Sequence, residues 1–303
     1  MKQKLFLMFG LGTLMLSSCS DSFDVPEIGS STSNKLQISA EIEGMTKSRA
    51  IDNQWENGDA ISVYADSLLT NVKFVTTGDG QFTPEDGSDI YFSDSQTHHV
   101  TACYPYNSGA QYSFAINYKD ATPEGQTQQD ILFAEGDASI TNPKLNLVFK
   151  HKMARLIINV KTSTEHGFQK ADVFGTAEGS SITKSQGQLY GVLFLVTVKP
   201  QTGEVSCGSL KLYPKLLKGT DNYDTGVRQY VILVPEQKAV EYHHLFNEGS
   251  SNELSFSTSL GDKTWKAGYS YTYNITIKNT GMSVTSETME EWVDGGTENY
   301  DAV

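Results

Sequence analysis

Basic residues are scarce in this chain. Over 303 residues, 23 Lys and Arg face 36 Asp and Glu, a formal charge of −13. Nothing gathers lysine or arginine into a patch that could displace counterions from a phosphate backbone, so nucleic acid is not an expected partner. The acidic balance serves solubility instead. Cysteine is scarcer, with only Cys19, Cys103 and Cys207. Disulfide-stapled scaffolds need denser thiols, and a chain of this length builds a core without them. Cys103 and Cys207 therefore read as small, mostly buried side chains, and nothing in the sequence supports a bridge between them. Long apolar runs are missing too: Leu5 to Leu16 ends at Ser17 and Ser18, well short of the roughly 20 residues a membrane-spanning helix requires. No segment of three or four helical turns carries an apolar stripe. Catalytic signatures are also lacking, with no G-x-S-x-G elbow, H-E-x-x-H helix, C-x-x-C pair, Gly-rich phosphate loop or EF-hand pattern. With 36 acidic residues, some pair falls at glycosidase spacing by chance, so counting carboxylates gives no support to hydrolysis. No enzyme activity, cofactor or metal is expected.

What is present begins with an address. Met1-Lys2-Gln3-Lys4 is basic, Leu5 to Leu16 is apolar, and Leu16-Ser17-Ser18-Cys19 sets small residues directly before a cysteine. This is the layout of an export signal over residues 1–18. Its end resembles the bacterial lipobox, in which the thiol receives a diacylglyceryl group and the chain is cut just before it. On that resemblance Cys19 is the lipidated residue of an outer membrane lipoprotein. Two or three acyl chains, palmitate among them, would make a durable anchor, because each buried methylene adds about 0.8 kcal/mol. Cleavage removes Lys2 and Lys4, which moves the charge from −13 to −15 and leaves about 285 residues. That length suits one large or two modest domains, and two are expected. Residues 19–35 are short, polar and rich in Ser, Asp and Gly, a flexible tether.

From Leu36 onward apolar residues alternate with polar ones. Leu36, Ile38, Ala40 and Ile42 point one way while Gln37, Ser39, Glu41 and Glu43 point the other, the pattern of a half-buried strand. The period recurs at Leu145, Leu147 and Phe149, at Leu156, Ile158 and Val160, at Tyr230, Ile232 and Val234, and at Tyr269, Tyr271, Tyr273, Ile275 and Ile277. Gly78-Asp79-Gly80, Asp86-Gly87 and Asn142-Pro143 punctuate turns. Many short strands with turn signals predict an all-β protein. Val192 to Val198 is apolar on both faces, which predicts one central strand covered on both sides. A charged step at Lys150-His151-Lys152 divides an N-terminal β domain, 36–150, from a C-terminal one, 151–303.

Four segments then resemble the fimbrillin family of Bacteroidales, the Mfa-like and FimA-like type V pilin lipoproteins. They are Ser48-Arg49-Ala50 with Trp55-Glu56-Asn57-Gly58-Asp59-Ala60-Ile61-Ser62-Val63-Tyr64; Gln129-Asp130-Ile131-Leu132-Phe133-Ala134; Leu147-Val148-Phe149-Lys150-His151-Lys152-Met153-Ala154-Arg155-Leu156; and Trp265-Lys266-Ala267-Gly268-Tyr269-Ser270-Tyr271-Thr272-Tyr273, with Gly281 to Val284 and Trp292 behind it. The resemblance implies two tandem β-sandwich domains of transthyretin-like layout and a structural, adhesive role in a cell-surface fimbria (pilus). It implies assembly with other fimbrial subunits by donor-strand exchange, in which an extended segment from a neighbour completes an open sheet. In such pilins the first strand of the precursor fills the groove until a trypsin-like protease cuts after an arginine. Carried over, the plug is Leu36 to Glu43, the cleaved residue is Arg49 and the new N-terminus is Ala50. The donor is the tail 282–303, with Met282, Val284, Met289, Trp292 and Val293 as its apolar groups. Glu290, Glu291, Asp294, Gly295, Gly296 and Glu298 break the alternation of that tail, which leaves open a monomeric surface lipoprotein that binds a glycan or host protein without polymerising.

The remaining candidates are judged one by one. His98-His99 and His243-His244 invite a metal reading, but strand neighbours point to opposite faces and do not ligate one ion. His151 reads as a satisfied polar contact. Asp221-Asn222-Tyr223-Asp224-Thr225-Gly226 offers oxygen ligands for calcium, and an Asx-rich turn gives the same string and is preferred. Trp55 and Trp265, at strand starts, read as packing anchors.

Overall fold

Alternation with a period of two buries one face of a strand, and the protein follows that rule over most of its length. A computed structural model describes residues 34–43, 54–65, 68–109 and 112–292. In the strand Gln37–Ile42, residues Ile38, Ala40 and Ile42 are buried while Gln37 and Glu41 are exposed. Lys144–His151 alternates without a break, and Ala154–Thr162 buries every second residue. The fold is all-β, as its periodicity predicts.

Seven strands, Gln37–Ile42, Ala60–Ala65, Leu68–Thr76, Gln81–Pro84, His98–Tyr104, Leu132–Ala138 and Lys144–His151, join into one closed ladder. Closure depends on the first of them. It runs parallel to Lys144–His151 with Gln37 opposite Lys144 and Ile42 opposite Phe149, and its other edge sets Ile38 and Ser39 antiparallel to Phe82 and Gln81. Leu36, Ile61, Phe74, Phe92, Leu147 and Phe149 fill the interior.

A second core gathers around a five-stranded sheet ordered Thr220–Asn222, Val227–Val234, Ala154–Thr162, Tyr269–Lys278 and Gly281–Glu291. Its two middle strands run parallel, with Ser270 opposite Arg155 and Ile277 opposite Thr162. A four-stranded sheet containing Ser185–Tyr190 and Glu241–Phe246 packs on it, and Leu189, Tyr242 and Phe246 share one cluster with Tyr230, Tyr271 and Tyr273. The segment 112–131 also contributes to this second core through Tyr112, Ile116, Tyr118, Ala121 and Ile131. All described residues fall in one compact unit.

The apolar run Val192 to Val198 is not the single central strand its sequence predicts. Val192 and Leu193 pair with Leu212 and Lys211, whereas Leu195–Lys199 pairs with Tyr112–Ala115 and Glu204–Cys207 in a separate sheet. The break falls at Phe194, whose carbonyl accepts from Ile116 N at 2.9 Å, and Leu195 is exposed. Two ladders divide one apolar run between them, which periodicity alone does not reveal.

Val231 and Leu233 are buried along with Tyr230, Ile232 and Val234. The cause is the short helix Pro123–Thr127 with its flanks: Val231 N donates to Ala121 O at 2.8 Å, and Leu233 N donates to Gln126 Oε1 at 3.0 Å. That helix is capped by Thr122, whose hydroxyl accepts from Gly125 N at 3.1 Å, with Pro123 in its first turn. Thr-Pro is a recognisable start signal, but one turn is too short to show a periodic stripe. Among the described residues no helix is long and apolar enough to cross a membrane.

Candidate functional site

The first strand is held on both edges. Besides its two ladders, Leu36 N donates to Ile90 O (2.8 Å), Gln37 N to Pro143 O (2.9 Å), Ala40 N to Gly80 O (2.8 Å) and Glu43 N to Phe149 O (2.8 Å). Trp55 lies on this strand. Its Nε1 donates to Ala40 O at 2.9 Å, and its ring meets Phe82, Tyr104 and Phe149 edge-on at 5.0, 5.5 and 5.2 Å. Gly80 explains itself here. Its φ is +76°, and a Cβ would stand 2.8 Å from Ala40 O, so only glycine lets the two backbones approach. The strand therefore occupies a slot walled by Phe82, Leu147, Phe149 and Trp55 and lined with backbone hydrogen-bonding groups. Any extended segment with alternate apolar residues has the chemistry to fill it.

Near the other end of the chain, Gly281–Glu291 forms the edge of the five-stranded sheet and, among the described residues, pairs only with Tyr269–Lys278. Met282 and Val284 pack partly against the second core, and Met289 is 44% exposed. Trp292 is 3% exposed. Its ring stacks on His151 at 3.8 Å and 10°, and the Arg155 guanidinium lies 4.7 Å from its centroid. Both partners are fixed: His151 Nδ1 meets Asp130 Oδ2 at 2.8 Å, and Arg155 Nε donates to Ser270 Oγ at 3.0 Å. A small cavity of about 40 Å³ adjoins this cluster, and Ile42, Trp55, Tyr104, Leu132, Arg155 and Trp292 are among its walls. The ends of the first and last strands thus border the same void. His151, Asp130 and Trp292 stand in three separate segments of the sequence, and nothing in their spacing announces the contact.

Cys19, Arg49, Ala50 and Val293 lie outside the described residues. Met282, Val284, Met289 and Trp292 share the last strand and its end; Met282, Val284 and Trp292 pack against apolar and aromatic groups, whereas Met289 is exposed. The paired histidines face apart. His98 stacks on Phe92 and meets Asp94 at 3.0 Å, whereas His99 lies near Asp137 and Glu135. His243 is stacked on Tyr190, while His244 is buried between Ser185 Oγ and the Tyr242 hydroxyl, each at 2.8 Å. Burial, with Arg228 nearby, pushes the His244 pKa down to about 3. Asp221 and Asn222 end the strand Thr220–Asn222 and residues 223–226 turn, with Gly226 N donating to Asn222 O at 2.9 Å and Asp221 engaged by Arg228 at 2.6 Å. Cys103 and Cys207 are both free. Cys103 is buried, which lifts its pKa to about 12, but Cys207 is only half-buried. Trp55 and Trp265 are buried, and Trp265 Nε1 donates to the Tyr273 hydroxyl at 2.8 Å.

The sequence model of the fimbrillin-like family matches residues 48–292. A Bacteroides uniformis protein named as a candidate fimbrium subunit, Fim1C, is 28% identical over 318 aligned residues, covering 97% of either chain. Two crystal structures of candidate cell adhesion proteins share the fold. One, from Bacteroides uniformis, has a TM-score of 0.63 at 23% identity and covers 85% of this chain and 98% of its own. The other, from Bacteroides ovatus, has a TM-score of 0.64 at 19% identity, with coverages of 87% and 99%.

Proposed function

Because the chain belongs to the fimbrillin-like family, we propose that it is a structural and adhesive subunit of a cell-surface fimbria, delivered as a lipoprotein through Cys19 and assembled by strand exchange. The observation that carries this reading is the first strand. It is paired along both edges, its apolar residues are buried, and Lys47 and Arg49 follow it as the only basic residues between Lys35 and Lys73. A basic-specific protease therefore has few places to cut. Once cut after Arg49, the strand is held by non-covalent contacts alone, and its slot becomes available to an extended segment of a neighbouring subunit, with the tail from Met282 as donor. No catalytic role is proposed.

The test is limited digestion of purified mature protein with a trypsin-like protease. A new N-terminus at Ala50 and a ladder of oligomers that resists mild heating in detergent support the proposal. Degradation, or nicking elsewhere, removes its trigger. Deleting 282–303 should abolish the ladder and leave a folded monomer.

One observation favours the second reading, a monomer that binds a glycan or host protein. Tyr190 and Tyr213 are exposed and meet edge-on at 5.0 Å, with Tyr190 stacked on His243 at 3.8 Å. Saturable binding by uncleaved monomer on a glycan array, lost in Tyr213→Ala, identifies that role.

A further inference from the structure

We infer that the Trp292 cluster is a latch that couples the last strand to the first, holding Gly281–Glu291 docked while Gln37–Ile42 is in place and loosening it when that strand leaves. The argument begins with what holds the last strand. It is an edge with one partner strand among the described residues, and its residues are half-buried or exposed from end to end. Apolar anchoring is confined to Met282 and Val284 near its start and Trp292 just past its end. Trp292 Nε1 is buried without a hydrogen-bond partner among the described residues. Its side chain is therefore held by the flat contact with His151 and by Arg155, and its backbone by the bond from Trp292 N to Gly268 O at 2.7 Å.

The holding group belongs to the first strand's own partner. His151 ends the strand Lys144–His151, and its neighbours up to Phe149 are the parallel partners of Gln37–Ile42. On its far side that strand has two register pairs among the described residues, Leu132 with His151 and Phe133 with Lys150. With Gln37–Ile42 gone, residues 144–149 lose their parallel ladder, and His151 is left with its pairing to Leu132, its contact with Asp130 and the adjacent bond from Lys152 N to Ile131 O at 2.8 Å. The cavity of about 40 Å³ bordered by Ile42 and Trp292 loses one wall at the same time. His151 Nε2 and Asp130 Oδ1, like Trp292 Nε1, have no hydrogen-bond partner among the described residues, so water entering that gap has three polar atoms to bind and weakens the stack. Coupling of this kind is reciprocal: a change that frees the last strand must also loosen the first.

Reciprocity supplies a test on the intact, uncleaved chain by amide hydrogen exchange. Trp292→Ala should speed exchange across 281–291 about tenfold, the size expected for losing one ring stack and one cation–π contact. It should also speed exchange across 37–42 at least threefold, with Leu156 to Val160 as unchanged internal reference. Val284→Ala, which frees the opposite end of the same strand, should affect 281–291 alone. Should Trp292→Ala not fold, His151→Gln removes the stacked ring while offering Asp130 an amide donor, and it should give the same readings. The inference is overturned if either folded variant loosens 281–291 and leaves 37–42 unchanged, because Trp292 is then a simple edge anchor. Its consequence for assembly, release of the tail on loss of the first strand, rests on the proposed strand exchange. That proposal fails separately, by the absence of polymers after cleavage, whatever the exchange data show.

Discussion

Trp55→Phe isolates what holds the first strand in its slot. The indole donates to Ala40 O at 2.9 Å inside the core, and a phenyl ring keeps the apolar contact but not the donor. Losing a buried bond of this kind costs about 1 to 1.5 kcal/mol. The smaller ring also enlarges the neighbouring cavity, now about 40 Å³, which adds about 1 kcal/mol. The variant should therefore lose about 2 to 3 kcal/mol in urea unfolding, with faster amide exchange concentrated at Ala40 to Ile42. Trp265→Phe is the control: it removes the bond to the Tyr273 hydroxyl at 2.8 Å in the other core, so it should destabilise without a local change at 40–42. A Trp55→Phe protein within about 0.5 kcal/mol of wild type, with unaltered exchange at those amides, would refute the claim that this indole pins the strand.

Three further outcomes follow from the same geometry. Gly80→Ala should cost about 2 to 4 kcal/mol, since a positive φ is combined with a Cβ 2.8 Å from a backbone oxygen, whereas Gly58→Ala, with open space around it, should cost about 1 kcal/mol; thermal unfolding of the two separates crowding from φ strain. Ile38→Ala removes a side chain that is 2% exposed and should cost about 2 to 5 kcal/mol, while its exposed neighbour Gln37 tolerates alanine within about 0.5 kcal/mol. His244 stays neutral in the folded protein down to about pH 3, against 6.5 for an unperturbed imidazole. The unfolded state therefore binds the extra proton between those values, and stability falls as pH drops through that window, by about 1.4 kcal/mol per unit at most. The gap in stability between wild type and His244→Gln should accordingly narrow by about 3 kcal/mol from pH 7.5 to pH 4.5, and a gap that does not change with pH would mean the imidazole protonates without resistance.

The β class was legible because a strand writes its period directly into the sequence. Ile38, Ala40 and Ile42 alternate with exposed residues on paper and in the fold, and so do the buried and exposed residues of Lys144–His151. The opposed faces of His98 and His99, and of His243 and His244, were legible for the same reason. Where a residue answers to more than its own strand, the pattern misleads. Val192 to Val198 looks like one buried strand and is divided between two ladders at Phe194. Val231 and Leu233 look half-exposed and are covered by the turn of helix at Pro123–Thr127.

By itself the sequence determined which residues could be strands, which face of each is apolar, and where two basic residues sit relative to the first strand. Tertiary structure decided the rest. It set Gln37–Ile42 parallel to a strand more than a hundred residues away, and it brought Asp130, His151, Arg155 and Trp292 together at the end of the last strand. The division has one physical cause. Alternation is a property of a single strand and needs no partner, whereas register and side-chain stacking belong to pairs of segments whose meeting depends on how the whole sheet closes.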